Sequence, residues 1–440
     1  MQRTCRCDLS VRMLFLVTLI FIGWPRDCRA IPVFARVYQT SCVTCHVAPP
    51  KLTPFGEVFR QNGYEIPNDD GESVKEEPQK LGADAYKRVW PKAIWPGAIP
   101  GKIPLAFRGR TGFSLMQTDS GVYTHFIPPT LQLLMAGTLG EHLTFFVGAH
   151  LFDAGELGSV DRFYLQFDNI LSSVIPPHLL FLRAGQFIPE MVPFLSNHRS
   201  LTLTPYAMNT YDASLGNTFS AGHAHGESSF GIENLQIGAE LSGVVAQRLR
   251  YVAGIVNGSG PNALDNNQAK DFYGRLSYKF GGMSFTDPGG IVAQSGKNWV
   301  EQSLVVGVFG YKGAKPNAGY VRPKDLDFYR VGGDLSLSLW DLNLFGGFIR
   351  GVDEKVVGTR LGTAEYNLFF AEANCVVFPW LIPVVRYEQA LADTIANGPR
   401  RLVANLTFLV RANVKIVAEV PVDVVTRKVQ RLEIGTDVSF

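Results

Sequence analysis

From residue 105 to the end of the chain, apolar and polar residues alternate with a period of two. In Leu105–Phe113, the residues Leu105, Phe107 and Phe113 share one face, and Arg108 and Arg110 share the other. The same split recurs in Phe272–Phe280. In Asn413–Val420, Val414, Ile416, Ala418 and Val420 oppose Lys415 and Glu419. This period places successive side chains on opposite faces of a strand. The segments are about ten residues long with turns between them, and there are about sixteen, the pattern of an antiparallel transmembrane β-barrel. Short turns fall near Gly140-Glu141, Val244-Val245, Trp340-Asp341, Phe378-Pro379 and Asn413. Longer polar loops fall near Asp119–Thr124, Asn257–Ala269, Tyr311–Pro323, Gly351–Gly362 and Ala390–Gly398. Such barrels carry short turns at one rim and long loops at the other. Gly281–Asn298 is the exception, long where a short turn is expected. In the last strand, Leu432, Ile434, Thr436, Val438 and Phe440 oppose Arg431, Glu433 and Asp437. Alternation alone does not say whether the apolar face meets lipid or a protein core. A water-soluble β-sandwich or propeller stays open at this point.

The pattern of the first hundred residues is different. Arg3, Arg6 and Arg12 precede the apolar run Met13–Trp24, and Cys28-Arg29-Ala30 places small residues at −3 and −1 of a cleavage site. Residues 1–30 therefore read as an export signal, with an apolar core too short to span a bilayer comfortably. Residues 31–66 read as a small helical module. Thr53 can cap a helix, Pro54 suits its first position and Asn62-Gly63 suits its end. Phe55, Val58 and Phe59 form one apolar stripe. Residues 67–104 are turn-rich and polar, punctuated by Trp90-Pro91 and Trp95-Pro96, and read as a connector.

The module contains Cys42-Val43-Thr44-Cys45-His46, the C-x-x-C-H signature of covalent c-type haem. Two cysteines one helical turn apart can both reach the vinyl groups of one porphyrin. The adjacent histidine then meets the iron as proximal ligand. A thioredoxin-type dithiol lacks its βαβ surroundings here, and a zinc site lacks its second ligand pair. One covalent haem c is the expected cofactor, held by Cys42, Cys45 and His46. A module this small cannot build a core of its own, and a buried porphyrin would supply the apolar mass.

Composition sharpens the picture. Charged residues are 18% of the chain, below the ~25% usual for soluble domains. The formal net charge of +2 falls to −1 once the five Arg and two Asp of residues 1–30 are removed. No basic patch remains, so nucleic acid is not an expected partner. No G-x-S-x-G, H-E-x-x-H or phosphate-binding glycine loop occurs, and no catalytic residues are assigned.

No second His or Met lies between His46 and Met116. A distal haem ligand, if the iron takes one, must come from the barrel. The third long loop, Pro189–Ser229, carries Met191, His198, Met208, His223 and His225. His198 is the first candidate for that ligand and Met191 the second. His223 and His225 flank Ala224 and suit an external metal ion or a plain loop. Cys375 is expected to be buried or lipid-facing, without redox duty.

Residues 30–64 resemble the start of the fused cytochrome–porins of bacterial outer membranes. The likeness rests on Pro32, Phe34-Ala35-Arg36, the motif at Cys42, Cys45 and His46, and then Pro50, Leu52, Phe55-Gly56 and Phe59. The terminal aromatic strand resembles the insertion tail of outer-membrane proteins. The loop order resembles general porins, whose third loop folds into the lumen. The best-known cytochrome–porins are proposed Fe(II) oxidases. The resemblance implies a 16-stranded barrel in the outer membrane, with the haem module lodged in its lumen. It also implies haem attachment at Cys42 and Cys45 and ligation by His46, but not the identity of the donor. The expectation is an electron-transfer protein between an extracellular redox partner, Fe(II) being one candidate, and a periplasmic carrier, a cytochrome or copper protein. The competing expectation is a diffusion porin whose haem module is a plug or sensor.

Overall fold

The computed structural model describes residues 33–38, 40–67, 79–80, 98–99, 104–118, 121–139, 142–153, 156–193, 195, 199–210, 231–265, 267–287, 297–316, 325–357, 360–392, 398–429 and 431–439. The export signal, Trp90, Trp95, His198, His223 and His225 lie outside these residues.

The N-terminal module comprises α1 (Val33–Val37), the one-turn α2 (Cys42–Cys45), the hairpin of β1 (His46–Ala48) and β2 (Lys51–Leu52), and α3 (Pro54–Gln61). Helix α3 has the ends that its sequence asks for. Thr53 accepts a hydrogen bond from Gly56 N at 3.0 Å, Pro54 occupies the first turn, and Asn62 closes onto Val58 O. Gly63 then takes φ of +75°, the left-handed conformation that glycine adopts freely past a helix end. Two short strands, β3 (Gln79–Lys80) and β4 (Ala98–Ile99), pair with each other.

Seventeen further strands, from β5 (Leu105–Thr118) to β21 (Arg431–Ser439), form one closed antiparallel barrel. One of them, β8 (Glu156–Leu157), lies within the hairpin of β7 (Leu143–Asp153) and β9 (Val160–Phe167), which also pair directly. The wall therefore has sixteen staves, the even number expected. The last strand closes it, since all of Arg431–Ser439 is in register with Met116–Arg108 of β5. Closure satisfies every edge, which lipid demands of a spanning sheet.

The burial pattern settles the direction of the alternation. In β13 (Asp271–Gly281), Tyr273, Arg275, Ser277 and Lys279 are buried, whereas Phe272 is 55% and Leu276 51% exposed. Ile434 and Leu432 of β21 also point outward, and Asp437 inward. Charged residues pair inside: Arg275 holds Asp334 through two bonds of 2.5 and 3.0 Å, and Arg401 meets Glu388 at 2.6 Å. A soluble sandwich would bury the opposite face. An apolar exterior around a polar interior is the arrangement of an outer-membrane barrel.

Loop lengths follow the expected asymmetry, with two informative differences. The loops expected near Asp119–Thr124 and Gly351–Gly362 are largely strand. β6 (Gly121–Thr138) starts at Gly121, and β16 (Leu342–Val357) and β17 (Arg360–Cys375) pair out to Val357 and Arg360. On the short-turn rim, residues 168–180 and 282–300 are long. Both reach the module there. Asn62 Nδ2 donates to Phe285 O at 2.9 Å, and a Cβ on Gly63 would lie 2.4 Å from Asp168 Oδ1.

The lumen is filled from two sources. The module occupies the short-turn rim. Arg36 donates to Leu105 O at 2.6 Å, and Lys51 Nζ to Asn374 Oδ1 at 2.5 Å. Lys415 Nζ, from the start of β20 (Val414–Asp423), donates to Pro49 O at 2.5 Å. Higher in the lumen, the described part of residues 188–210, ending in α4 (Ala207–Thr210), crosses between the walls. Leu203 N and Thr204 N donate to Glu419, Ala207 N donates to Glu388, and Tyr206 donates to Glu372 at 2.7 Å. The third long loop thus enters the lumen as its order predicts.

Candidate functional site

Helix α3 lies on the Cys42–Cys45 turn because position 56 is glycine. A Cβ there would sit 2.1 Å from Cys45 O. Thr53 fastens the same contact, its hydroxyl donating to Thr44 O at 3.0 Å and its N–H to Cys45 O at 2.9 Å. Beneath this turn an aromatic group packs together. Phe34 stacks on Tyr64 at 4.9 Å and meets Phe59 edge-on at 5.3 Å. Val58 and Phe59 are buried, as the apolar stripe of α3 predicts.

Cys42 and Cys45 sit one turn apart as free thiols, and both border one large cavity. Burial raises both thiol pKa values, that of Cys45 to about 12, with the neighbouring Cys42 adding to the rise. Past the helix, His46 turns extended, and its Nδ1 lies 3.3 Å from Pro50 O. A carbonyl can only accept, so Nδ1 carries the proton and Nε2 keeps its lone pair. Burial lowers the His46 pKa to about 4, with the Pro50 contact opposing and the charges of Arg108 and Lys415 assisting. The ring keeps some accessible surface because it borders the cavity, but protein surrounds it on its other sides. It stays neutral, the state in which imidazole binds metals.

The cavity measures about 1700 Å³, above the ~300–1,000 Å³ of ordinary small-molecule sites. At the short-turn rim it is lined by Cys42, Cys45, His46, Phe55 and Phe59. Toward the long loops it is lined by His125, Glu156 and Ser259. It is therefore continuous along one side of the lumen. Two thiols one turn apart, an imidazole with a free Nε2 and an aromatic floor suit a porphyrin fixed through Cys42 and Cys45 and ligated by His46.

The other candidates distribute unevenly. Met191 is buried in an apolar cluster with Tyr206, Met208 and Phe345, and is not among the residues lining the cavity. Cys375 ends β17, partly buried and away from the cavity. Four residues not singled out from the sequence do line it: Met116, His125, Met135 and His150. Met116 was legible, since it is in phase with Arg108 and Arg110 on the inner face of β5. For the other three, the phase of their strands was the only signal.

No family model matches the sequence, and no curated protein matches it. Solved structures share the fold. The anion-selective porin from Comamonas acidovorans superposes with a TM-score of 0.54 at 12% identity, covering 77% of this chain and 99% of that one. Salmonella typhi OmpF, in a complex with daunomycin, gives 0.50 at 10% identity, covering 76% of this chain and 97% of that one. The chain has the fold of the porin β-barrels, with an N-terminal helical module seated inside its lumen.

Proposed function

We propose that this protein passes single electrons across the outer membrane, between an extracellular redox partner, with Fe(II) as a candidate, and a periplasmic cytochrome or copper protein. One haem c would be attached to Cys42 and Cys45 with His46 on its iron, and would supply a one-electron couple when bound. The observation that carries the reading is the C-x-x-C-H turn opening onto a cavity that continues toward the long-loop face. The chain's own residues do the rest. Pro50 orients His46, the aromatic floor of Phe34, Phe55 and Phe59 excludes water, and Glu190 locks the module in place through Arg60 at 2.7 Å. His198 remains the first proposed distal ligand; Met191, the second candidate from the sequence, is buried away from the cavity and is not proposed. The same continuous cavity also favours a second reading, a diffusion porin with a haem-bearing plug.

Two measurements test this. The purified protein should keep peroxidase-active haem through denaturing electrophoresis, and Cys45→Ala should lose or weaken that band. A colourless wild-type protein would overturn the reading. In planar bilayers, large steady ion currents from haem-loaded protein would favour the porin alternative over the electron conduit.

A further inference from the structure

The cavity is two-sided. The module contributes apolar side chains, among them Phe34, Leu52, Phe55 and Phe59, whereas β5 contributes Arg108 and Arg110. Most cations on this surface are already paired. Arg108 grips Asp437 with contacts of 2.5 to 3.2 Å, and Lys415 lies 3.5 Å from the same carboxylate. Arg60 meets Glu190 at 2.7 Å, Arg162 meets Asp161 at 3.0 Å and Arg431 meets Glu433 at 2.9 Å. Arg110 differs. It stands opposite Asp437 in the strand register, but that carboxylate is taken. Among the described residues it has no hydrogen bond or ion pair, and its side chain is exposed to the cavity.

A guanidinium that faces the cavity without a hydrogen-bond or ion-pair partner of its own is placed to receive an anionic group there. Asp153 and Asp161 also act on Arg110, but Asp161 is paired with Arg162; counting Arg108, Arg110, Lys415 and Arg162 against Asp437, Asp153 and Asp161, the balance is four positive to three negative, so the missing complement is anionic. The planar fork of arginine matches a carboxylate through two parallel bonds. A porphyrin held through its vinyl edge by two thioethers carries two propionate carboxylates on another edge, and its ring is apolar. That amphipathic shape matches the two sides of this cavity.

Building on the haem reading above, we propose that Arg110 receives a propionate carboxylate of the porphyrin and thereby sets its redox potential. Arg110 is a positioning residue with no part in ligating iron. Removing its charge should stabilise the ferric state and lower the midpoint potential, because the oxidised centre carries one more positive charge.

The test compares haem-loaded wild type with Arg110→Gln and Arg110→Lys, each shown to be folded by its heat-dependent mobility in electrophoresis. Spectroelectrochemical titration should give a lower potential for Arg110→Gln and a value near wild type for Arg110→Lys. The resonance Raman bending mode of the propionates should shift in both variants, since lysine cannot reproduce the two-bond fork. If Arg110→Gln does not fold, the propionate mode of Arg110→Lys alone decides. Unchanged propionate modes, or an unchanged potential in a loaded Arg110→Gln, would overturn the assignment and leave the haem reading standing. A loaded Arg110→Gln with wild-type haem properties but altered anion selectivity in bilayers would assign Arg110 to a diffusible anion instead. A wild-type protein without covalent haem would sink the haem reading itself, before Arg110 is tested.

Discussion

The module and the wall around it follow opposite rules. In residues 33–67 apolar side chains turn inward: Val33, Ala35, Val58 and Phe59 are buried, and the charges of Glu57 and Arg60 sit at the edge of the apolar group. In the wall many charges are buried and many large apolar side chains face outward, although Tyr273, Phe309, Phe345 and Phe370 turn into the lumen. Lys279 is 5% accessible and its neighbour Phe280 is 54% accessible. Both obey the same physics in different solvents. The module answers to a lumen lined by charged side chains, and the wall's outer face answers to hydrocarbon. The seam between them is largely polar, built from ion pairs and amide contacts, with two apolar spots: Val47 and Ala48 pack with Val376, Ile382 and Val384, and Tyr64 stacks on Phe146. Such a seam should come apart through its charges, and the wall should fail through its outer face.

Glu190 is the most demanding point of that seam. Its carboxylate accepts from Arg60 of the module at 2.7 Å, Arg183 of the wall at 3.1 Å and Arg250 of the wall at 2.9 Å. It also begins the segment that crosses the lumen. Replacing it by Gln strips Arg250 of its paired carboxylate and leaves Arg60 with Glu57 and Arg183 with Glu240, at a cost on the order of 3–5 kcal/mol. The loss should appear as release of the module while the barrel persists. Limited proteolysis of residues 33–67 should accelerate, and bilayer conductance should rise. An E190Q protein with wild-type protease resistance would show that the seam is not electrostatic.

The matching change on the wall's outer face is Leu276→Arg, at the middle of β13, where the side chain is 51% exposed. A charge facing lipid at mid-depth costs about 2–4 kcal/mol. Reversible urea unfolding into phospholipid vesicles should show that loss, while the module stays protected within the barrels that fold. Equal stability in both proteins would mean that this face does not meet lipid, and the comparison would collapse.

Much of this was legible in the sequence. The period of two marked the wall, and the capping signals of Thr53, Pro54 and Asn62-Gly63 marked α3, because both are local patterns. The cysteine pair and His46 were legible for the same reason, as one contiguous motif. Other features were hidden by their physical nature. The short turn expected near Val244-Val245 follows β11 (Gln236–Val245), but it is built from Ala246 and Gln247 with φ of +48° and +61°, and neither residue advertises that conformation. The long segment Gly281–Asn298 looked out of place until Phe285 O was seen to accept from Asn62. The need for glycine at 56 is a tertiary demand, set by Cys45 O across the α2–α3 contact. Glu190 and Arg110 look alike as isolated charges in a sequence. Only the register of distant strands shows that one is saturated and the other unanswered.

The finest test of the seam is its response to pH, through Asp168. This residue follows β9, outside the spanning strands, and is only 1% accessible. Thr144 Oγ1 lies 2.6 Å from its carboxylate and 2.8 Å from Gly63 O, so the acid sits against the end of α3. Burial raises its pKa from 3.8 to about 6, although the hydrogen bonds from Thr144 and Gln166 pull the other way. A carboxyl whose folded pKa is raised binds its proton more tightly in the docked state. Its contribution therefore favours docking at low pH and is lost as the pH climbs through 6. Between pH 7 and pH 6 the gain is about 0.4 kcal/mol, a factor of about two in the docking equilibrium. Asp168→Asn has no proton to exchange, so it should remove this increment and hold the module at pH 7 as firmly as the protonated acid does. Protease protection of residues 33–67 between pH 5 and pH 7.5 measures it. A wild-type profile that is flat, or a D168N profile that keeps its slope, would place the pH response elsewhere on the seam.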